Sequence, residues 1–235
     1  MSPLCHQVDF SDKYLYRLEQ RIPLVSALRW LEIQSLEPQV YWLSRNRDLE
    51  IAAAGILDSV DDTNTTSLQD AVSIVETKLA GTPQTIRYYG GHCFDPEKID
   101  PSEWAGFGRY RFVLPEYEII RMGGECTFIW NCLSGSELDT EWLRQNFAQY
   151  VEENMQIVNA PAVSTQGRKT EYCCSRENIP PESQWGELAR SLVNEIKVRA
   201  VDKIVLARKV NLKFDTPLNP FVMLKQIQAQ SPQAY

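Results

Sequence analysis

Apolar residues along the chain follow two rhythms, one helical and one strand-like, and their alternation predicts a mixed fold. In "RIPLVSALRWLEIQS" the positions Leu24, Leu28 and Leu31, with Val25 and Ala27 between them, predict a helix. "VYWLSR" (40–45) and "EIAAAGILDSV" (50–60) read as strands, and Asn46-Arg47-Asp48 reads as the hairpin turn joining them. "SLQDAVSIVETKLA" places Leu68, Ala71, Val72, Val75 and Leu79 on one helical face. Ser67 followed by Asp70 resembles a capping box in which Asp replaces the usual Glu.

The middle third predicts strands. "TIRYYGGHCF" (85–94) and "RYRFVLPEYEIIRMGGECTFIWNCLS" (109–134) are rich in β-branched and aromatic residues, and Gly123-Gly124 signals a turn. A helix is expected over 139–158, then an extended stretch over 162–175. The strongest helical stripe comes next: Trp185, Leu188, Ala189, Leu192, Val193 and Ile196 fall on one broad face. Ser183 is its expected N-cap, and Pro180-Pro181 keep the preceding segment out of the helix. The chain then enters "DKIVLARKVNLKF", read as a strand with Lys203 at its entrance.

Composition narrows the function classes. A chain of 235 residues, 43% apolar and 23% charged, has ordinary globular composition. The net charge of −7, with no long basic run, argues against nucleic acid as the main partner. No apolar run approaches a membrane span and the N-terminus has no signal-peptide core, so the expected location is cytoplasmic, with no membrane partner. The six cysteines show no zinc spacing, and Cys173-Cys174 reads as two reduced thiols. His6 and His92 stand alone, and a structural or surface role is expected for each. The oligomeric state is not set by the sequence.

Lys203 is the residue that invites chemistry. In a strand it would share a face with Val205 and Ala207, toward a wall or a cavity. It could snorkel to water or pair with a carboxylate. Alternatively, desolvation could favour a neutral amine able to take a proton from water. Spacing does not choose between these.

"VDKIVLARKV", with the upstream "SRENIPPESQWGELARSLVNEI", resembles the start of the chorismate-binding domain shared by isochorismate, salicylate, anthranilate and aminodeoxychorismate synthases. Its lysine is similar to that of the isochorismate synthases, where the ammonia-using relatives generally carry glutamine. "EPQVYWLSRNRDLEIAAAGIL", "RYYGGHCFDP" and "LPEYEIIRMGGECTFIWN" resemble the N-terminal half of the menaquinone-pathway isochorismate synthases in order and spacing.

The resemblance implies an α+β fold, a large sandwich of antiparallel sheets with outer helices, here truncated. Residues 1–165 would form a strand-rich scaffold, and 166–235 would begin the catalytic domain. It implies an isomerase that converts chorismate to isochorismate, with Lys203 as the base that activates water for attack at C2. It also implies Mg²⁺, a general-acid glutamate in a Ser-Pro-Glu segment, and basic residues for the substrate carboxylates, all expected beyond Tyr235. The chain is accordingly read as a fragment or an incomplete gene model, inactive alone, with strand edges and apolar faces unpartnered. The alternatives are a siderophore-pathway isochorismate or salicylate synthase, and a non-catalytic chorismate-binding module. Glu116, Glu118 and Glu125 match no family motif and are read as solvent-facing strand residues.

Overall fold

The run 50–60, read from sequence as one strand, is divided by Gly55, whose φ of +82° only glycine adopts cheaply. Before it lies β4 (Leu49–Ala54), and after it β5 (Asp58–Asp61), in a different sheet. This division starts the two-sheet architecture of the N-terminal part of the chain in the computed structural model, which describes residues 3–95, 99, 101–159, 173–198 and 201–231. The chain forms two units, 1–162 with 227–235, and 163–226.

The first unit is built on a six-stranded antiparallel sheet. With β1 (Leu4–Phe10), β2 (Lys13–Ile22), β3 (Gln39–Leu43), β8 (Tyr117–Met122) and β9 (Glu125–Ser134), the strand order is β1-β2-β9-β8-β4-β3. The β1–β2 hairpin, absent from the sequence reading, takes the N-terminal strand to one edge of this sheet. At the other edge, β3 and β4 pair from Leu43↔Glu50 to Gln39↔Ala54 across the expected turn. The Gly123-Gly124 turn joins β8 to β9, with φ of +59° and +83° and Met122 paired to Glu125. Two positive φ values in a two-residue loop are what the twist of a tight hairpin demands.

Alternation along β9 sorts its side chains between two faces. Phe128 and Trp130 face helices α1 (Ala27–Glu32) and α4 (Thr140–Asn159). Trp30 packs edge-on to Phe128 at 5.6 Å, and Phe147 lies 6.0 Å from the same ring. The buried stripe of α4 is Leu143, Phe147, Val151, Asn154 and Val158, a helical period that fits the predicted helix. Each large apolar side chain buried here contributes about 1.5–3 kcal/mol. Helix α1 is shorter than expected: β2 runs to Ile22, and Leu24 is exposed rather than part of the stripe. Ser26 caps α1 by accepting from Arg29 N at 3.1 Å.

The opposite face of β9 carries Ile129, Asn131 and Leu133, and meets the second sheet. That sheet orders as β5-β7-β6, with β6 (Tyr89–His92) and β7 (Tyr110–Leu114). Phe10, Leu15, Ile86 and Leu114 form the apolar cluster between the sheets. Helix α2 (Leu68–Leu79) covers the second sheet, with Ala71 buried against Val60 and Tyr110. Its expected cap is present: Asp70 N donates to Ser67 Oγ at 3.1 Å, and Ser67 Oγ donates to the Asp70 carboxylate at 2.7 Å. A short helix α3 (Pro101–Trp104) precedes β7.

The second unit holds a two-stranded antiparallel sheet of β10 (Cys173–Ile179) and β11 (Lys209–Phe214), with a register shift between Cys173 and Ser175. Helix α5 (Glu182–Lys197) lies between those strands in sequence, and α6 (Pro220–Gln230) follows them, its end from Ile227 onward belonging to the first unit. No residue of α5 is buried: Leu188, Val193 and Ile196 on its apolar stripe are all exposed. Among the described residues no helix is long and apolar enough to cross a membrane. The extended stretch expected over 162–175 lies mostly outside the described residues.

Candidate functional site

Lys203 is reached through α5. The helix begins at Glu182, with Pro181 as N-cap (φ −56°, ψ 155°) and no side-chain cap bond, so Ser183 lies inside the first turn and does not cap it. The Pro181 carbonyl accepts from both Gln184 N (3.1 Å) and Trp185 N (3.1 Å), which starts the helix without a hydroxyl. Its end is closed by Val198 N donating to Asn194 O at 3.0 Å. Residues 199–200 lie outside the described set, and the chain resumes at Val201.

The expected strand does not begin at Lys203. Residues 203–208 have no ladder pairing, and β11 opens at Lys209. The reason lies in the partner strand. Ile179 pairs with Lys209, and Pro180, which has no N–H to give, follows it and leads the chain into α5. Nothing in β10 therefore remains to pair with 203–208.

Exposure still alternates along this segment. Ile204 and Leu206 are half-buried, while Lys203, Val205 and Ala207 are exposed, Val205 by 79%. Lys203 does share a face with Val205 and Ala207, but that face is open rather than turned to a wall or cavity. No ion pair or hydrogen bond to Lys203 occurs among the described residues, so the carboxylate pairing considered from sequence is not formed there. At the end of the segment, the Arg208 guanidinium stands over the Trp185 ring at 5.9 Å, a cation–π contact between the loop and α5.

The acids considered from sequence divide three ways. Glu125 is exposed and paired to Arg21 at 2.7 Å. Glu116 is half-buried, and burial pushes its carboxyl above the usual range, opposed by a bond to Tyr117. Glu118, expected at the surface, is fully buried. It accepts from Arg17 Nη1 at 2.8 Å, from Asn131 Nδ2 at 3.0 Å and from the Tyr89 hydroxyl at 2.6 Å. The signal for this cluster was an arginine inside the alternating run "YLYRLEQ", where an inward charge demands a partner on a neighbouring strand.

Among the described residues, two of the clefts in the first unit are lined by strand residues. One, of about 360 Å³, lies beside the turns of the β3–β4 and β8–β9 hairpins and is lined by Tyr41, Arg47, Glu50, Arg121 and Met122. Its charged groups are already paired. Arg121 binds Glu50, which accepts from the Tyr41 hydroxyl at 2.8 Å, and Arg47 donates to Gln228 O at 3.1 Å. Burial foremost pushes the Tyr41 phenol up to about 12, so it stays a proton donor. The second, about 350 Å³, is an apolar groove between α2 and the three-stranded sheet.

No group of three His, Cys, Asp or Glu side chains among the described residues could hold a metal ion. His6 is exposed on β1, and His92 Nδ1 lies 2.8 Å from Cys93 O.

A family profile described as "Chorismate binding enzyme" matches residues 4–235. The chain is 26% identical over 200 residues to isochorismate synthase MenF of Escherichia coli, covering 84% of this chain and 40% of that protein. It is 27% identical over 160 residues to the chloroplastic isochorismate synthase 2 of Arabidopsis thaliana, covering 67% of this chain and 28% of that one. The structure of the menaquinone-specific MenF from E. coli matches with a TM-score of 0.63 at 24% identity, over 97% of this chain and 46% of that one. The α+β fold of antiparallel sheets with helices is therefore the MenF fold. The chain spans less than half the length of these relatives.

Proposed function

The chain belongs to the chorismate-binding enzyme family, and from that membership we propose that it carries the base-bearing portion of an isochorismate synthase. The reaction is the isomerisation of chorismate to isochorismate, in the cytoplasm and in menaquinone biosynthesis. The match across residues 4–235, with isochorismate synthases among the relatives, carries this reading. The likeness to a menaquinone-specific enzyme supports the pathway.

Lys203 acts in this reading as general base. Its amine takes a proton from water, the oxygen of that water adds at C2, the ring double bonds shift, and the C4 hydroxyl departs as water with a proton from an acid. One water enters and one leaves, so substrate and product are isomers. Such a base contributes about 10²–10⁴-fold. A base must be neutral to work, and desolvation is what favours a neutral amine. The exposed face of Lys203 therefore has to be covered when the reaction runs. No acid is assigned among the described residues. Mg²⁺ belongs to the proposed activity, but the described residues offer no set of ligands for it, and no step is routed through it.

The test is the Lys203→Gln variant in an isochorismate-forming preparation of the protein, with isochorismate measured by chromatography. Product formation should be lost while the circular dichroism spectrum is kept. A near wild-type rate would overturn the base assignment. Reading the coding sequence past the Tyr235 codon for a Ser-Pro-Glu segment and further acidic residues tests the enzyme reading itself.

A further inference from the structure

We propose that Arg17, Glu118, Asn131 and Tyr89 form a conformational key that fixes strand register in the six-stranded sheet and couples it to the three-stranded sheet. The key is separate from any chemistry at Lys203. Arg17 on β2, Glu118 on β8 and Asn131 on β9 come from three adjacent strands and face the second sheet. Arg17 is 1% exposed, and Glu118 and Asn131 are 0% exposed. Arg17 Nη1 donates to Glu118 Oε1 at 2.8 Å and to Asn131 Oδ1 at 3.0 Å, while Nε donates to Glu19 Oε1 at 2.7 Å. Asn131 Nδ2 donates to Glu118 Oε1 at 3.0 Å and to Pro115 O at 2.9 Å. From the other sheet, the Tyr89 hydroxyl on β6 donates to Glu118 Oε2 at 2.6 Å.

The surroundings explain why such a cluster acts on specificity. Leu15 and Leu133 flank it on the same face, while Tyr16 and Leu18 are buried on the other, so with both faces of β2 covered, apolar burial alone penalises a one-residue slip little. Arg17 pairs directly with Asn131 in the β2–β9 ladder. A one-residue slip would turn the arginine to the helical face and strand Glu118 without its cation. The cost of an unpaired buried charge thus penalises every wrong register. The gain in stability is smaller, because Arg17 Nη2 is buried with no partner of its own. Discrimination between arrangements is what the cluster supplies.

The Tyr89 hydroxyl extends this discrimination to the second layer. Burial, with Glu118 next, holds its phenol far above the ordinary range, so it remains a donor at working pH. Loss of that one bond leaves the apolar cluster of Phe10, Leu15, Ile86 and Leu114 as the main tie between the layers.

Amide hydrogen exchange followed by NMR on the 235-residue chain tests the coupling in Tyr89→Phe, which keeps the ring. Amides of β5, β6 and β7 should exchange at least about tenfold faster, while those of β2 and β9 keep their rates. A uniform change across both sheets, or none, would overturn the coupling. The register role is tested by replacing Arg17→Met, Glu118→Leu and Asn131→Leu together. The chain should stay folded by circular dichroism and melt no lower, while its amide signals split into several sets. A single sharp set overturns the register role, and so does outright loss of folding, which would make the cluster a stabiliser instead.

Discussion

Asn154 on α4 accepts two hydrogen bonds through one oxygen, from Trp30 Nε1 at 3.1 Å and from Gln34 Nε2 at 3.2 Å. It is the polar member of an otherwise apolar helix stripe, and it ties α4 to the fully buried indole of α1. Asn154→Ala leaves a buried indole N–H without an acceptor and should cost about 1–3 kcal/mol. Urea unfolding of the variant should show a lower midpoint with an unchanged slope. Asn154→Asp keeps the acceptor and should recover part of the loss.

Truncating one side of the buried Arg17–Glu118 ion pair, which spans three strands of the six-stranded sheet, should be more damaging. Glu118→Ala leaves Arg17 buried without its main partner, a change worth about 3–5 kcal/mol. Guanidinium unfolding curves measure it directly. A loss under about 1 kcal/mol would mean that water reaches Arg17 in the variant.

At the β8–β9 turn, Gly124 sits at φ +83° with open space where a Cβ would be. Gly124→Val therefore meets backbone strain and no clash, and should cost about 1–2 kcal/mol. Gly123→Asn at φ +59° should be nearly neutral, because asparagine tolerates the left-handed region. Thermal melts of the two variants should separate by several degrees.

Alkaline pH should destabilise the first unit through its phenols. Burial is the main cause that raises Tyr41 to about 12, and it also raises Tyr88, Tyr89 and Tyr117. The unfolded chain releases these protons near pH 10, and the folded chain holds them to higher pH. The contribution is complete below about pH 10 and is lost as pH rises through the folded values. Tyrosinate absorbance at 295 nm should then lag the ordinary titration and appear together with unfolding.

Much of the first unit was legible in the sequence because each element carried its own period. Leu143, Phe147 and Val151 announce α4, the diglycine announces the β8–β9 turn, and Ser67 announces the start of α2. The divided run at Gly55 was missed because an apolar stretch reads the same whichever sheet receives it. Glu118 was misplaced because burial of a charge depends on a partner about a hundred residues away, Arg17, which no local pattern contains. For Lys203 the alternation was real, but its direction depended on where β10 ends. Pro180, already known as a helix boundary, was also the end of the ladder.

That early end gives the Lys203 segment a use as a sensor. The backbone of 203–208 lies past the last rung shared with β10, so its amides begin unprotected by any neighbouring strand. Whatever polypeptide or ligand settles alongside Lys203 will announce itself as slowed deuterium uptake over those few residues, and mass spectrometry can follow it before any turnover is measured.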